Sequence, residues 1–225
     1  MRGLYAILDT TALEARRLPM VEVARAVSKA GVACVQVRAK ELGARASLEL
    51  VRSVVAAADG VPVIANDRPD VALLASAAGV HVGQDDVPPG LAKFVAEQRA
   101  GRLIVGLSTH DREQLLAALD EPIDYVAIGP VFATSSKDRP DPVIGLDAAL
   151  ALAREAHDRR ADLPVCAIGG IGLETAGELA AEFDLVAVIG ALLSGVSTAD
   201  EVGARARELV EVVYGAAARR SAAPS

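Results

Sequence analysis

Short apolar segments alternate with longer amphipathic segments along the whole chain. The apolar segments are rich in Val and Ile and lack the polar alternation of a half-exposed strand. Continuous apolar strands are expected where both faces of a parallel sheet are buried. We therefore predict buried strands at the following positions: Leu4–Leu8, Val32–Val37, Pro62–Ala65, Gly79–Val82, Leu103–Leu107, Tyr125–Ile128, Pro164–Ile168 and Leu185–Ile189.

The segments between these strands carry apolar residues at helical spacing. The clearest are Met20–Ala30, Leu48–Ala58, Leu91–Arg99, Leu146–His157 and Thr198–Val213. Strands that alternate with helices, without a linker rich in Pro, Gly or Ser, predict an α/β fold with a single closed (β/α)8 TIM barrel. An open doubly wound sheet would normally have a Gly-rich turn after the first strand, and Leu8-Asp9-Thr10-Thr11 is not one. We expect residues 1–214 to form the barrel and residues 215–225 to be a disordered tail.

Composition limits the location and the partners that we expect. The formal net charge of −7 argues against nucleic acid, because a phosphate backbone requires a basic surface. No apolar run reaches the roughly 18 residues of a membrane-spanning helix. Cys34 and Cys166 lie in predicted strands, so we expect buried free thiols. The N-terminus enters a strand without a signal-peptide pattern, which predicts the cytoplasm. Whether the chain forms a homo-oligomer is left open.

Polar residues occur just beyond the carboxyl ends of the predicted strands, where (β/α)8 enzymes build their active sites. Such residues follow strands 2 to 8 in these segments: Gln36–Lys40, Asn66–Arg68, Gly83–Asp86, Ser108–His110, Thr134–Lys137, Gly169–Gly170 and Gly190. None of these segments is specific alone. Their repeated occurrence on one rim predicts a single functional site there.

Two carboxylates on this rim predict a metal site. Asp67 and Asp86 follow neighbouring strands, so their oxygens can converge. A lone Asp after a strand is more often a helix cap, but Asn66 and Gln84 beside the pair favour a metal. Mg²⁺ prefers one or two carboxylates, with waters and substrate phosphates as its other ligands. We therefore predict that Asp67 and Asp86 bind Mg²⁺.

The same rim carries groups that can bind phosphate. Three cations, Arg38, Lys40 and Lys137, surround the acidic pair, an arrangement that suits a diphosphate lying between metal and cations. Gly170 and Gly190 follow strands 7 and 8, the recurrent phosphate site of this fold. Glycine allows close approach of the backbone, and helix N-termini offer free N–H groups to an anion.

Several of these motifs occur together in the order of one known family. They are Gln36–Lys40, Asn66–Arg68, Gly79–Asp86, Gly106–His110, Gly129–Phe132, Thr134–Lys137 and Ala167–Ile171. As a set, from about Leu4 to Leu193, they resemble the thiamine phosphate synthase family. The resemblance implies a Mg²⁺-dependent transferase that joins hydroxymethylpyrimidine diphosphate to thiazole phosphate, forms a C–N bond and releases diphosphate.

The resemblance also implies roles for individual residues. Gln36 would contact the pyrimidine, Ser108 would lie beside the reacting diphosphate, and Asp67 and Asp86 would hold Mg²⁺. The diphosphate would be bound by these residues: Arg38, Lys40, Asn66 and Lys137. The thiazole phosphate would be bound by these residues: Thr134, Ser136, Gly170, Ile189 and Gly190. The catalytic residues among them would be Arg38, Lys40, Ser108 and Lys137.

The chemistry of this reaction agrees with these residues. An aminopyrimidine can donate electrons to its methylene carbon, so the C–O bond can break first, and the departing charge then calls for metal and cations. The thiazole nitrogen carries a lone pair and no proton, so no general base is needed. His81 lies inside strand 4 and is interpreted as a hydrogen-bonded core histidine, whereas the role of His110 stays open.

The sequence departs from the family pattern at two places, and three alternative functions remain. Gly190 replaces the usual Ser, and Phe183–Val186 replaces the usual Gly-Ala-Asp-Gly turn; we expect both at the thiazole phosphate end. A thiazole tautomerase-like barrel would have no use for a diphosphate–metal half. An epimerase or aldolase would place a Schiff-base lysine inside a strand. A non-catalytic barrel would bind thiazole phosphate without releasing diphosphate.

Overall fold

The structure is a computed structural model that describes residues 1–98, 101–134 and 141–222, with side chains as far as residue 218. Eight parallel strands close into one barrel in chain order, and β8 pairs with β1. The strands are β1 Gly3–Asp9, β2 Cys34–Arg38, β3 Val63–Asn66, β4 Gly79–Val82, β5 Ile104–Thr109, β6 Tyr125–Ile128, β7 Val165–Ile168 and β8 Leu185–Val188. The predicted (β/α)8 barrel is confirmed, with small shifts at the strand ends.

Helices connect the strands and cover the barrel. They are α1 Thr10–Glu14, α2 Met20–Lys29, α3 Ala44–Ala57, α4 Pro69–Leu74, α5 Pro89–Glu97, α6 Arg112–Leu119, α7 Leu146–Arg159, α8 Leu173–Ala180 and α9 Ala199–Ala222, with a 3₁₀ turn at Gly190–Leu193. Pro89 begins α5, where its fixed φ suits the first turn of a helix. None of the helices in the described ranges combines the length and the apolar character needed to span a membrane.

The end of the chain differs from the expected disordered tail. Helix α9 continues as far as Ala222, and Ala216 within this extension is buried. The segment is rich in Ala and Arg, which are strong helix formers, and Ala216 adds a packing contact that holds it on the barrel. Residues 215–222 are therefore helical, and residues 223–225 lie outside the described part of the chain.

The barrel interior holds a small core of its own, separate from the larger apolar layer between strands and helices. It contains Tyr5, Ile64, Tyr125 and the free thiols of Cys34 and Cys166, so the expected buried thiols are confirmed. The two tyrosine rings meet edge to face with centroids 6.0 Å apart. Tyrosine is a large residue for a barrel interior, and its hydroxyl requires a hydrogen-bond partner there.

The expected position of Phe183–Val186 is wrong. Asp184 precedes β8, so it lies at the amino end of the barrel, opposite the rim where the strands end. Its carboxylate accepts from Nε2 of His157 at 2.9 Å and from the backbone N–H of Val165 at 3.0 Å. Nε of Arg2 is also 3.0 Å away. The altered turn thus ties together the amino ends of the strands and does not contribute to a phosphate site.

Candidate active site

A cavity of about 500 Å³ opens at the carboxyl ends of the strands. Its lining includes all the predicted site residues that lie in the described ranges: Gln36, Arg38, Lys40, Asn66, Asp67, Asp86, Ser108, Thr134, Gly170, Ile189 and Gly190. Ser136 and Lys137 lie outside the described residues. Side chains from loops that are far apart in sequence therefore share one space, because parallel strands bring all their carboxyl ends to the same face.

The acidic side of the cavity is built by the loops after β3 and β4. Asp67 follows β3 directly and has a φ of 61°, a left-handed conformation that Asp and Asn tolerate better than most residues. Nζ of Lys40 lies 3.2 Å from Oδ2 of Asp67. Asp86 is held by its own loop, because the backbone N–H of Gly83 donates to Oδ2 of Asp86 at 2.8 Å.

The two carboxylates influence each other electrostatically. Burial raises the pKa of Asp67, and the neighbouring Asp86 raises it further, while the Lys40 ammonium acts in the opposite direction. Among the described residues, no group of three or more Asp, Glu, His or Cys side chains could hold a metal. A facing pair of carboxylates fits Mg²⁺, which commonly uses one or two carboxylates together with waters and phosphates.

Arg38 is held by a residue that the sequence analysis did not select. In the barrel register Asp9, the last residue of β1, pairs with Arg38, the last residue of β2. Their side chains form a hydrogen-bonded ion pair. Asp9 is buried and also accepts from the backbone N–H of Ala12 at 2.8 Å, which caps α1. Its position at a strand end was the signal that could have identified it.

The opposite side of the cavity is lined by backbone. Gly170 has a φ of 65°, and a Cβ at this position would lie 2.4 Å from the carbonyl oxygen of Ala133. Only glycine therefore permits this close packing of the loops after β6 and β7. Gly190 begins the 3₁₀ turn after β8 and is exposed. Together with Ile189, these residues line the side of the cavity after β7 and β8, across the barrel from the acidic pair after β3 and β4.

The cavity is also lined by two residues whose roles the sequence left open or did not indicate. His110 was left open; its Nδ1 lies 2.6 Å from the carbonyl oxygen of Gly129, and its Nε2 lies 3.5 Å from Asp141. Arg205 reaches the cavity from α9. Nothing in the sequence distinguished Arg205 from the other basic residues of that helix, because its exposure to the cavity depends on how α9 packs.

His81 is a buried, hydrogen-bonded histidine, in agreement with the sequence interpretation. Its Nδ1 lies 2.8 Å from the hydroxyl oxygen of Tyr125, and its Nε2 lies 2.8 Å from Oγ of Ser108. Unlike an ordinary core residue, however, His81 also lines the cavity.

Comparison with known proteins identifies the family. A sequence profile described as thiamine monophosphate synthase matches residues 4–192. The chain belongs to the thiamine monophosphate synthase family. A thiamine-phosphate synthase from Koribacter versatilis is 40% identical over 194 residues, covering 84% of this chain and 88% of the relative. Another from Anaeromyxobacter dehalogenans is 42% identical over 202 residues, covering 88% and 86%.

A solved structure of the family has the same architecture. Thiamine phosphate pyrophosphorylase from Pyrococcus furiosus superposes with a TM-score of 0.77 at 31% identity, covering 95% of this chain and 96% of that one. The resemblance inferred from the motifs is thus confirmed, and the enzyme class that it implies is a transferase. Gly190, which replaces the family's usual Ser, lines the cavity.

Proposed function

We propose that this protein is a Mg²⁺-dependent thiamine phosphate synthase, which couples hydroxymethylpyrimidine diphosphate with thiazole phosphate. The observation that carries the proposal is the division of one cavity into two unlike ends. An acidic pair with the cations Arg38 and Lys40 lies at one end, and a glycine-lined backbone surface lies at the other. The first suits a metal-bound diphosphate and the second suits a phosphate monoester.

Asp67 and Asp86 would hold the metal. When bound, Mg²⁺ would offset the negative charge that develops on the departing diphosphate. Without a cation, burial and mutual repulsion make this pair unfavourable, as the raised pKa of Asp67 indicates. The Lys40 ammonium offsets only part of the negative charge of the two carboxylates. The remaining negative charge would attract a metal ion that also binds the anionic substrate.

The protein's own residues would act mainly by positioning and electrostatics. Arg38, Lys40, Asn66 and Lys137 would bind the diphosphate, with Ser108 beside it. The C–O bond breaks and its electron pair leaves with the diphosphate oxygen. The lone pair of the thiazole nitrogen then forms the C–N bond, so no proton has to be removed from the nucleophile. Preorganised charges of this kind commonly contribute the largest share of such catalysis.

Substrate orientation would fall to the remaining residues of the cavity. Gln36 would contact the pyrimidine ring. Thr134 and Ser136, with the backbone of Gly170, Ile189 and Gly190, would hold the thiazole phosphate at the opposite end. Holding both reactants in one cavity turns a bimolecular step into an effectively unimolecular one.

The test is direct product analysis with and without metal. The purified protein is incubated with both substrates and Mg²⁺, and thiamine phosphate and diphosphate are measured together. We expect equimolar products, loss of both on adding excess EDTA, and recovery on restoring Mg²⁺. Product formation in EDTA would contradict the metal site. A folded protein that forms no product would favour a tautomerase-like or non-catalytic thiazole phosphate-binding barrel.

A further inference from the structure

A continuous chain of buried hydrogen bonds crosses the barrel interior below the cavity. Nε2 of Gln36 donates to the hydroxyl of Tyr5 at 2.7 Å, and the hydroxyls of Tyr5 and Tyr125 lie 2.9 Å apart. Tyr125 then contacts Nδ1 of His81, and Nε2 of His81 contacts Ser108, each at 2.8 Å. The chain connects β2, β1, β6, β4 and β5. Its two ends, Gln36 and Ser108, both line the cavity.

The inner members of this hydrogen-bond chain are buried and closely packed. Tyr5 and Tyr125 are 1% and 0% exposed, and Gln36 and His81 are also buried. The rings of His81 and Tyr125 stack with centroids 5.4 Å apart. Gly106 makes room for Tyr125, because a Cβ there would lie 2.0 Å from Cζ of the ring. Burial raises the pKa of both tyrosines, so both hydroxyls keep their protons near neutral pH.

The donors and acceptors of this chain have a consistent direction. Because Gln36 donates to Tyr5, the Tyr5 proton is available to Tyr125, and the Tyr125 proton to Nδ1 of His81. A neutral His81 then carries its proton on Nε2 and donates it to Oγ of Ser108. With Gln36 in this orientation, the opposite direction would leave the buried Tyr5 proton without an acceptor in the chain, which is unfavourable. The opposite direction requires the amide oxygen of Gln36 to face Tyr5.

We propose that Tyr5, Tyr125 and His81 are positioning residues that determine which hydrogen-bonding groups the cavity presents to the pyrimidine substrate. At one end, Ser108 accepts from His81 and so keeps its own proton to donate to the substrate. At the other end, one N–H of Gln36 is committed to Tyr5, which leaves its amide oxygen and second N–H for the substrate. The meaning of this arrangement for catalysis rests on the proposed function.

The remaining groups of Gln36 match one chemical class of ligand. An amide oxygen beside an N–H complements an amino group beside a ring nitrogen, which is the edge of an aminopyrimidine. A site built to hydrogen-bond such an edge rejects an analogue that lacks it, because its buried polar groups would be left unpaired. Tyr5 thereby contributes to substrate specificity without touching the substrate.

The direction of the chain can be measured without any substrate. The protein has three histidines. Two-bond ¹H–¹⁵N correlation spectra of ¹⁵N-labelled protein distinguish the two neutral tautomers of histidine and the cation. His110→Gln and His157→Gln variants assign the signals. We expect His81 to be neutral with the proton on Nε2 at pH 7, and its signal to shift in Tyr125→Phe. A proton on Nδ1, or a cationic ring, would overturn the proposed direction.

Kinetics then test the two ends separately. In Tyr125→Phe the Ser108 end loses its support, so we expect kcat to fall about tenfold while the KM for thiazole phosphate stays unchanged. In Tyr5→Phe the link from Tyr125 to His81 remains, so we expect a raised KM for the pyrimidine diphosphate and an unaltered His81 signal. Tyr214→Phe is the matched control, since Tyr214 lies on α9 and its hydroxyl contacts the backbone of Arg2.

Each outcome has a defined meaning. Folded Tyr125→Phe and Tyr5→Phe proteins with the kinetics of the control would overturn the positioning role. A fall in kcat matched by an equal fall in the folded fraction of the variant would indicate general destabilisation and would also overturn it. If the wild-type protein forms no thiamine phosphate, the proposed function fails. The histidine spectra still test the direction of the hydrogen-bond chain, because they need no activity.

Discussion

The two ends of the barrel each hold a buried or half-buried aspartate, and the surroundings act on them in opposite ways. At the carboxyl end, burial raises the pKa of Asp67, and the facing Asp86 raises it further. At the amino end, burial acts to raise the pKa of Asp184, but the hydrogen bonds from His157 and Val165 outweigh it and lower the pKa. The surroundings of Asp67 therefore disfavour its charged form, whereas those of Asp184 favour it.

The carboxyl end of the barrel contains unfavourable electrostatic interactions, whereas the amino end contains stabilising ones. The rim combines like charges, a left-handed Asp67 and an open cavity, an arrangement that is costly unless a ligand completes it. The opposite end satisfies its buried carboxylate with internal donors only. In barrels of this kind the carboxyl end serves function and the amino end serves stability. The contrast predicts that substitutions at the two ends affect different measurements.

The largest expected effect is on catalysis, from Asp67→Asn. The substitution keeps the shape and suits the left-handed backbone but removes a charge that we propose binds Mg²⁺, so kcat/KM should fall by roughly 10²-fold or more. The free energy of unfolding should stay the same or rise, because the repulsion with Asp86 is relieved. Steady-state kinetics and urea denaturation measure the two quantities. Asp70→Asn, an exposed aspartate on α4, is the control; near-wild-type kinetics in Asp67→Asn would refute the site.

The opposite pattern is expected from Asp184→Asn. It removes the charge that accepts from His157 and Val165 in a buried position, so the free energy of unfolding should fall by about 2 kcal/mol. Activity of the folded protein at 25 °C should be unchanged, because the cavity lies at the other end of the barrel. Asp158→Asn, next to His157 but exposed, should alter neither quantity. A specific loss of activity in Asp184→Asn would mean that the two ends are coupled.

The same aspartate should make stability depend on acid. Its pKa in the folded protein is lowered below the ordinary value of 3.8. The unfolded chain therefore binds the proton more readily, and the stabilisation is full above the unfolded pKa and lost as the pH falls through the folded pKa. The stability difference between wild type and Asp184→Asn should shrink as the pH falls below about 4. Urea denaturation at several pH values measures it, and a constant difference would contradict this linkage.

The smallest effect is expected at the proposed thiazole phosphate end, from Gly190→Ser. A Cβ at this position would meet no other atom within 4 Å, so the family's usual side chain fits. Its hydroxyl would add one hydrogen bond to the phosphate and should lower the KM for thiazole phosphate about fivefold, with kcat unchanged. Gly190→Ala separates the hydroxyl from the methylene. A higher KM in Gly190→Ser than in Gly190→Ala would exclude a phosphate at this loop.

Much of the rim could be predicted from the sequence, because the strands are signalled locally. The apolar run Tyr125–Ile128 marks β6 without reference to any other segment. Once the strands are known, a residue such as Asp67 falls on the rim by position alone. The continuation of α9 to Ala222 was missed because the burial of Ala216 comes from packing against the barrel and leaves no local pattern.

Predictions from the sequence were wrong or incomplete where the role of a residue depended on the end of the barrel at which it lies or on its partner. Asp184 was placed at the phosphate end, although its position before β8 puts it at the amino end. Asp9 was not selected, although the barrel register places it beside Arg38. Arg205 was not selected, because only the packing of α9 brings it to the cavity.

The sequence by itself determined the barrel class, the order of its strands and the family, because apolar periodicity and short motifs are properties of contiguous residues. Tertiary structure alone decided that Tyr5, Tyr125 and His81 form one hydrogen-bonded chain, and that Asp67 and Asp184 experience opposite electrostatic surroundings. The physical reason is the closure of the sheet. Strands distant in sequence become opposite walls of one interior, and the distances between their polar atoms depend on register and packing that no single segment encodes.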